Sequence, residues 1–300
     1  MNKITQIDLR SDLAGKLQCA VDQVESMSYF RRRCFFRRQY KSDWRHLFKY
    51  RAVLADDVKS IDRIKDILIG SQLWLSSPAD FNDPFDTSAT IFFEGTLADK
   101  RKRFDTLIKR QEPNMNWKRR QAFVTKIMGD HGRTFGETLQ EIQNDLTKEF
   151  GVCSFAGDAK SILMWSHYAN NHSGICIQFD RAHDPKAFMR AVPVEYTTVY
   201  PVINWTLDST VESRAAVLRK HKGWEYEKES RIVVPLAAKS ILPIHPAAVN
   251  AIIFGCNTSP DAIATVKSIL AERSQMGMPR IKLYRAKRHA EKYALCLVRD

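Results

Sequence analysis

The sequence predicts an α+β fold in which a mixed, mostly antiparallel sheet is flanked by helices. Short apolar or alternating runs bounded by Gly, Pro, Asn and Asp are typical of strands. These runs do not alternate with helices in the rhythm of a parallel sheet. A charged stretch at about 97–150 has helical patterns and predicts a helical insertion. We therefore expect a catalytic-like α+β domain over 46–300, preceded by a basic helical extension over 1–45.

The predicted strands are short, and most of them follow residue 150. HLFKYR (46–51) comes first, and SQLWLSSP (71–78) is broken by Pro78, which cannot donate to a sheet. The later strand patterns are GVCSFA, SGICIQFD, AVPVEYT, SRIVVPL, NAIIFG and IKLYRAK.

Helices are predicted where apolar residues recur three and four apart. DDVKSIDRIKDIL carries Asp56 and Asp57 in its first turn, where the helix dipole favours acid. The segment FGETLQEIQNDLTKEF belongs to the predicted insertion. Three further helices are expected between the later strands, at 162–171, 209–222 and 260–274.

Composition narrows the class of protein. The chain has 300 residues, of which 44% are hydrophobic and 27% charged, as in a globular protein with a sizeable core. No apolar run approaches the roughly 18–20 residues of a membrane span, and the first residues lack the apolar segment of a secretory signal. The six cysteines form no C-x-x-C pair, which argues against a zinc cluster and favours a reducing cytoplasm.

Most of the positive charge lies in one segment. Of the net charge of +13, residues 29–51 carry nine Lys or Arg against one Asp, which is +8. Aromatic residues are interspersed among these cations, and cations beside stacking rings are typical of nucleic-acid surfaces. The alternative is an arginine-rich helix that packs its rings on the body and exposes its charges. The candidate nucleic-acid-binding residues are Arg31, Arg32, Arg33, Arg37 and Arg38.

The FNDPFD stretch (81–86) is a turn by its chemistry, because Asn and Asp bond their own backbone and Pro84 fixes φ. Asp83 and Asp86 could bind a divalent cation through oxygen. Their spacing matches no EF-hand loop, and we predict no metal site.

The ILMWSHYANN segment places Trp165, His167 and Tyr168 within one helical turn. Trp165 and Tyr168 are three apart and share a helix face, whereas His167 is about 100° away from Tyr168. Such a cluster of rings could line the bottom of a nucleotide-binding pocket. A lone histidine near a helix end is more often structural.

Three glutamates alternate in GWEYEKESRIVVP (223–235). As a strand, Glu225, Glu227 and Glu229 would share a face and repel one another unless a cation or a ligand hydroxyl compensated them. As a helix end, Glu225 would pair with Glu229 instead. In both cases one glutamate has a charged neighbour that raises its pKa. Arg231 either holds Glu229 in place or begins the strand.

Four blocks in order, FKYR, LWLSSPADFNDPFD, LMWSHYANNHSGICIQFD and WEYEKESRI, resemble a bacterial family known only as a domain of unknown function. This resemblance covers about residues 46–256 and implies no particular reaction.

A weaker resemblance is to ADP-ribosyltransferases, which carry an Arg on a first strand, a Ser on a second and a Glu-x-Glu before a late strand. It implies that Arg51 supports the phosphates of NAD, that Ser76 or Ser77 braces the pocket and that Glu229 holds a ribose hydroxyl. Glu227 would be the acceptor-side carboxylate. The chain departs from that family in the roughly 150 residues between Ser77 and Glu229 and in lacking an S-T-S run.

These observations predict an NAD-using enzyme that transfers ADP-ribosyl or glycosyl groups to a nucleic acid or protein, as toxins and defence effectors do. Glu229 and Glu227 are the expected catalytic residues. One alternative is a nucleic-acid-binding protein without catalysis, and the other is a metal-dependent nuclease using Asp83, Asp86 and both glutamates. The expected NAD-binding residues are Arg51, Ser76, Ser77, Trp165, His167 and Tyr168.

Overall fold

A computed structural model describes residues 13–39, 45–54, 56–92, 94–129, 148–204, 206 and 216–300. Most of the predicted helix FGETLQEIQNDLTKEF lies outside these residues, as do Tyr40 and Trp44 of the basic segment. In the part of the chain so described, no helix has the length and apolarity needed to cross a bilayer.

The described helices and strands are as follows. The helices are α1 (Leu13–Glu25), α2 (Tyr29–Gln39), α3 (Val58–Leu68), α4 (Leu97–Gln111), α5 (Trp117–Gly129), α6 (Ile162–Tyr168), α7 (Pro185–Phe188) and α8 (Pro260–Gln275). The strands are β1 (His46–Arg51), β2 (Gln72–Leu75), β3 (Thr90–Phe92), β4 (Gly151–Phe155), β5 (Ile175–Asp180), β6 (Val192–Pro193), β7 (Glu195–Thr197), β8 (Val202–Asn204), β9 (Arg219–His221), β10 (Ser230–Val234), β11 (Ser240–Pro243), β12 (Val249–Phe254), β13 (Lys282–Arg288) and β14 (Leu295–Arg299).

The largest sheet has the strand order β1-β5-β12-β13-β14. Its neighbouring pairs are antiparallel except β12 and β13, which are parallel and joined by α8. The parallel pair requires such a crossover because two parallel strands cannot be joined by a tight turn. The predicted α+β class with a mixed, mostly antiparallel sheet is confirmed.

A second sheet, β4-β10-β6, carries the end of the glutamate-rich segment. A bridge between Phe48 and Ala156 joins β1 to the chain just after β4, and a bridge between Ser76 and Val152 joins β4 to the β2 end. In β10, Ser230 lies opposite Phe155 and Arg231 lies opposite Ser154. The strand that follows Glu229 is therefore fixed in the middle of the fold.

The core has two main parts on opposite faces of these sheets. The larger part packs α3 and α8 against one face, with Ile64, Phe155 and Phe254 among its buried residues. The smaller part lies under α6 and includes Tyr50 and Trp165. Side chains alternate between faces along a strand, so neighbouring residues of β1 and β10 serve different parts of the core.

The predicted helix at 209–222 is confirmed at residues 216–218, which are helical, and wrong from residue 219 onward. Arg219–His221 forms β9, which pairs with β7 in parallel, and Lys222–Glu227 forms a 3-10 turn. Pairing with a distant strand outweighs the helical pattern there, as tertiary context commonly does. Residues 207–215 lie outside the described ranges. Helices α4 and α5 occupy the described half of the predicted insertion, while the domain division stays a prediction.

Candidate active site

Five charged side chains meet in the interior, a group that we call the charged cluster: Asp86, Lys220, Glu227, Glu229 and Arg231. Each residue is at most 8% exposed, and Arg231 is fully buried. Within these five residues, three carboxylates against two cations leave a net charge of −1 if all are ionised. A further basic group, the partly buried Lys49, interacts electrostatically with Glu229. Buried charges are costly unless they are paired.

Arg231 holds two of the three carboxylates. Its guanidinium donates to both Asp86 oxygens at 2.7 and 2.6 Å and to both Glu229 oxygens at 2.7 and 3.0 Å. It also donates to the Val217 carbonyl at 2.9 Å. The planar donor fork of arginine suits this bidentate geometry. Asp86 and Glu229 are therefore compensated largely by a single side chain.

Lys220 bridges the two glutamates. Its Nζ lies 2.6 Å from Glu227 Oε2, 3.2 Å from Glu229 Oε2 and 3.5 Å from Asp86 Oδ2. The ammonium also lies 4.9 Å from the centre of the Trp224 ring, a cation–π contact. Burial lowers the pKa of Lys220, but the charges of Glu229 and Glu227 outweigh it and raise that pKa overall.

The local backbone turns both glutamates toward Lys220. Glu227 ends the 3-10 turn that His221 caps, and Lys228 adopts a left-handed conformation with φ of 46°. The Lys228 carbonyl lies so close to Gly157 that a Cβ there would come within 2.9 Å. A lysine in this region costs about 1–2 kcal/mol. The surrounding contacts compensate for that cost. Glu229 immediately precedes β10, and its carboxylate accepts a hydrogen bond from Lys220.

The two glutamates differ in acidity. Burial raises the pKa of Glu229, but the charge and hydrogen bonds of Arg231 outweigh it and lower this pKa to about 2. Burial also raises the pKa of Glu227, and here Lys220 and the Tyr168 hydrogen bond compensate only in part, so the pKa stays raised. The anionic form is thus favoured at Glu229 by Arg231 and disfavoured at Glu227 by burial.

Tyr168 connects Glu227 to the surface. Its hydroxyl donates to Glu227 Oε1 at 2.8 Å, and the exposed Asn82 side chain bonds the same tyrosine. Burial and the neighbouring Glu227 charge raise the pKa of Tyr168. Since Tyr168 is only partly buried, it is the group through which Glu227 reaches the outside.

A rim of rings surrounds this exit. The ring centre of Tyr226 lies 6.2 Å from His167 and 6.0 Å from Trp224, and His167 lies 6.4 Å from Tyr168. His167 is exposed, and the other three rings are partly exposed. We call these four residues the aromatic rim. It offers flat apolar faces beside a carboxyl, which suits a ligand that combines a ring with hydroxyl groups.

Trp165 does not belong to this rim. It is fully buried, its Nε1 donates to the Ala159 carbonyl at 2.8 Å, and its ring meets Tyr50 edge-on at 5.1 Å. The predicted ligand contact of Trp165 is therefore corrected, because the side chain anchors α6 in the core. That anchor, with the Ser161 cap, fixes where Tyr168 points.

Arg51 lies apart from the glutamates. Its electrostatic neighbours are Cys153 and Arg63, on the α3 side of the sheet. Cys153 lies opposite Ile232 in β10, and Glu229 and Arg231 alternate with Ser230 and Ile232 onto the other face. Among the described residues, Arg51 makes no hydrogen bond or ion pair with Glu229, and Lys49 of β1 interacts electrostatically with both. The Nε of Arg51 is buried without a hydrogen-bond partner among the described residues.

The two serines have structural contacts. Ser77 caps the turn at Pro78–Asp80, and its hydroxyl donates to the Lys148 carbonyl at 2.6 Å. Ser76 exchanges backbone hydrogen bonds with Val152. Neither contact involves the charged cluster. These contacts therefore do not support the prediction that Ser76 or Ser77 braces a pocket around Glu229.

Sequence reasoning found both glutamates and Tyr168 but missed Lys220. The segment RKHKG does not indicate locally that Lys220 is buried, because only the pairing of β9 with β7 brings this lysine inward. Asp86 was expected in a turn or a metal site, yet it bonds Arg231. Asp83 accepts from the Phe85 amide at 2.9 Å, as a turn residue does. No group of three or more potential metal ligands is assembled within the described ranges.

Residues 164–232 match the family model named DUF2971, protein of unknown function. The predicted resemblance to a family of unknown function is thereby confirmed over this segment, which is shorter than the 46–256 expected. The matched segment contains Tyr168, Lys220, Glu227, Glu229 and Arg231, so most of the charged cluster lies within it. No curated protein and no solved structure matches the chain, and the resemblance to ADP-ribosyltransferases stays a prediction.

Proposed function

We propose that this protein is an enzyme that transfers a glycosyl group from NAD to a hydroxyl acceptor, with Glu227 as the final proton acceptor. The observation that carries the proposal is geometric: Glu227 and Glu229 share Lys220 at 2.6 and 3.2 Å, Glu229 is also held by Arg231, and Glu227 instead bonds the partly exposed Tyr168 at 2.8 Å. The pKa of Glu229 is lowered and that of Glu227 is raised in these surroundings. Environments that separate two neighbouring carboxyls in this way are typical of acid–base sites.

The reaction needs a base but no acid. The bond between the ribose C1′ and the nicotinamide nitrogen breaks, and its electron pair leaves with that nitrogen, which is cationic in NAD and needs no proton. The acceptor oxygen bonds to C1′. Its proton passes to the Tyr168 oxygen as the Tyr168 proton passes to Glu227, along the hydrogen bond of 2.8 Å. A base whose pKa is raised toward neutrality is better matched to this transfer.

Glu229 then acts as a positioning residue. Its oxygens are occupied by Arg231 and Lys220, and it is 4% exposed. It holds Lys220, which in turn holds Glu227. The sequence placed the main catalytic role on Glu229; the contacts favour Glu227 for it. The aromatic rim supplies ring faces for stacking the nicotinamide or adenine of NAD.

The test is the release of nicotinamide from NAD, with water, RNA, DNA and protein as acceptors. Wild type should release nicotinamide, and Glu227→Gln should slow release about 10²–10⁴-fold, the usual contribution of a positioned base. Glu225→Gln is the matched control, because Glu225 is exposed in the same turn. Absence of release by wild type with every acceptor would overturn the proposal, as would equal rates for Glu227→Gln and Glu225→Gln.

A further inference from the structure

Helix α2 presents a basic outer surface. Its eleven residues, YFRRRCFFRRQ, include five arginines and no acid. Arg31, Arg33, Arg37 and Arg38 are exposed, and the Phe30 ring is 70% exposed. Arg32 differs, since its guanidinium folds back to the Met27 and Glu25 carbonyls, where it caps the end of α1. Four arginines, rather than the five predicted, face outward.

The inner face of α2 is fixed to the protein body. Phe36 is fully buried beside Ala182, and the Arg181 guanidinium lies 5.6 Å from the Phe36 ring centre. Tyr29 donates to Asp180 at 2.8 Å and stacks on His183 with ring centres 4.3 Å apart. The helix is therefore a docked element whose arginines are held in a defined array.

The spacing of the array suits a phosphate chain. Arg33 and Arg37 are four apart and Arg31 and Arg38 are seven apart, so each pair lies along one side of the helix. From Arg31 to Arg38 the helix rises about 10 Å, which is about three phosphate intervals, and therefore four phosphates, of one strand. Phe30 lies at the start of the row that contains Arg33 and Arg37. An exposed ring beside cations can stack on an unpaired base.

We infer that the outer face of α2 binds single-stranded nucleic acid, with Arg31, Arg33, Arg37 and Arg38 on phosphates and Phe30 against a base. An anionic membrane is the competing partner for a basic helix. A helix that lies on a membrane inserts its apolar face, but here that face is buried against Arg181–His183. The inference is independent of the proposed reaction and would also supply an acceptor for it.

The test is fluorescence anisotropy of the full chain with labelled oligo-U and oligo-dT. Four phosphate contacts predict a slope of log K against log salt of about −3, equal to about a 50-fold loss of affinity between 50 and 200 mM salt. Arg37→Gln/Arg38→Gln should reduce this slope to about half. Lys287→Gln/Arg288→Gln removes the same charge from two exposed residues of β13 and should leave the slope unchanged.

Phe30→Ala tests the preference for single strands. It should weaken oligo-U binding at least about fivefold and leave duplex binding unchanged, since duplex bases are not free to stack. The inference is overturned if the two double variants behave alike, if Phe30→Ala affects neither substrate, or if vesicles containing phosphatidylserine bind while oligonucleotides do not.

Discussion

Replacing Glu227 or Glu229 with glutamine should change stability by different amounts, although the two residues share one lysine. Glutamine keeps the shape of glutamate and removes its charge. The pKa of Glu229 is lowered to about 2 from the usual 4.5. At about 1.4 kcal/mol per pKa unit, the ionised form stabilises the fold by about 3 kcal/mol at neutral pH. We expect Glu229→Gln to lose about that much.

Glu227→Gln should behave differently. The pKa of Glu227 is raised, so folding disfavours its ionised form. Removing this charge takes the five-residue cluster from a net −1 to neutrality. The glutamine carbonyl can replace only one of the two acceptor oxygens, which bond Tyr168 and Lys220 in the wild type. These two effects oppose each other, so we expect a free energy of unfolding within about 1 kcal/mol of wild type.

Urea unfolding at pH 7 and thermal melting between pH 2 and 8 would measure both variants. A loss of about 3 kcal/mol corresponds to about 6 °C in a chain of this size. The Glu229 contribution is present above its unfolded pKa of about 4.5 and is lost as pH falls toward 2, so its deficit should shrink over that window. The Glu227 charge reduces stability as pH rises above about 4.5, so any gain in Glu227→Gln should appear at neutral pH. Equal losses in the two variants would refute the assignment of different charge states.

Substitutions at three further positions test the architecture by thermal or urea unfolding. Lys220→Met leaves three buried carboxylates with only Arg231 and should cost about 3–5 kcal/mol at pH 7; a loss below 1 kcal/mol would contradict its bridging role. Lys228→Val should cost about 1–2 kcal/mol while Lys228→Gly costs nothing, since valine resists a φ of 46°; equal effects would refute that conformation. Gly174→Ala should prevent folding or cost several kcal/mol, because its Cβ would lie 2.1 Å from the Arg51 carbonyl; a wild-type melting curve would show that β1 and β5 are not packed as described.

The strands and most helices could be predicted from the sequence because their signals are local. HLFKYR corresponds to β1 residue for residue, and the predicted helix at 260–274 corresponds to α8 within a residue. Strands β3, β8, β9, β11 and β14 were missed. The first three have only three residues each and depend on pairing with a distant strand. Three residues contain too little periodicity to separate a strand from a turn.

The glutamates of the candidate site could be predicted, because their alternation is visible within one segment. Their partners from other segments could not be predicted. Three glutamates two apart raise the question of compensation, which the sequence alone leaves open between strand and helix end. The structure answers it with Arg231 from the same segment, Lys220 from β9 and Asp86 from the 81–86 turn. Exposed Glu225 has no part in the cluster. The separate environments of Glu227 and Glu229 follow from these long-range contacts and could not be read locally.

The unbalanced charge of the cluster bears on its role. A buried ion network contributes little net stability compared with well-packed apolar residues, and this one leaves a third carboxylate without a full partner. The carboxylate with the least compensation is Glu227, whose cationic partner is Lys220. Its hydrogen bond with the partly exposed Tyr168 links it to the surface. A reaction can supply the missing positive charge beside Glu227. It does so when positive charge develops on a bound sugar or when a proton is transferred to Glu227. A fixed negative environment stabilises the positive charge that moves from the nicotinamide ring onto the sugar in such a transition state. In the proposed reaction, the same imbalance that costs stability in the resting protein would favour proton transfer to Glu227.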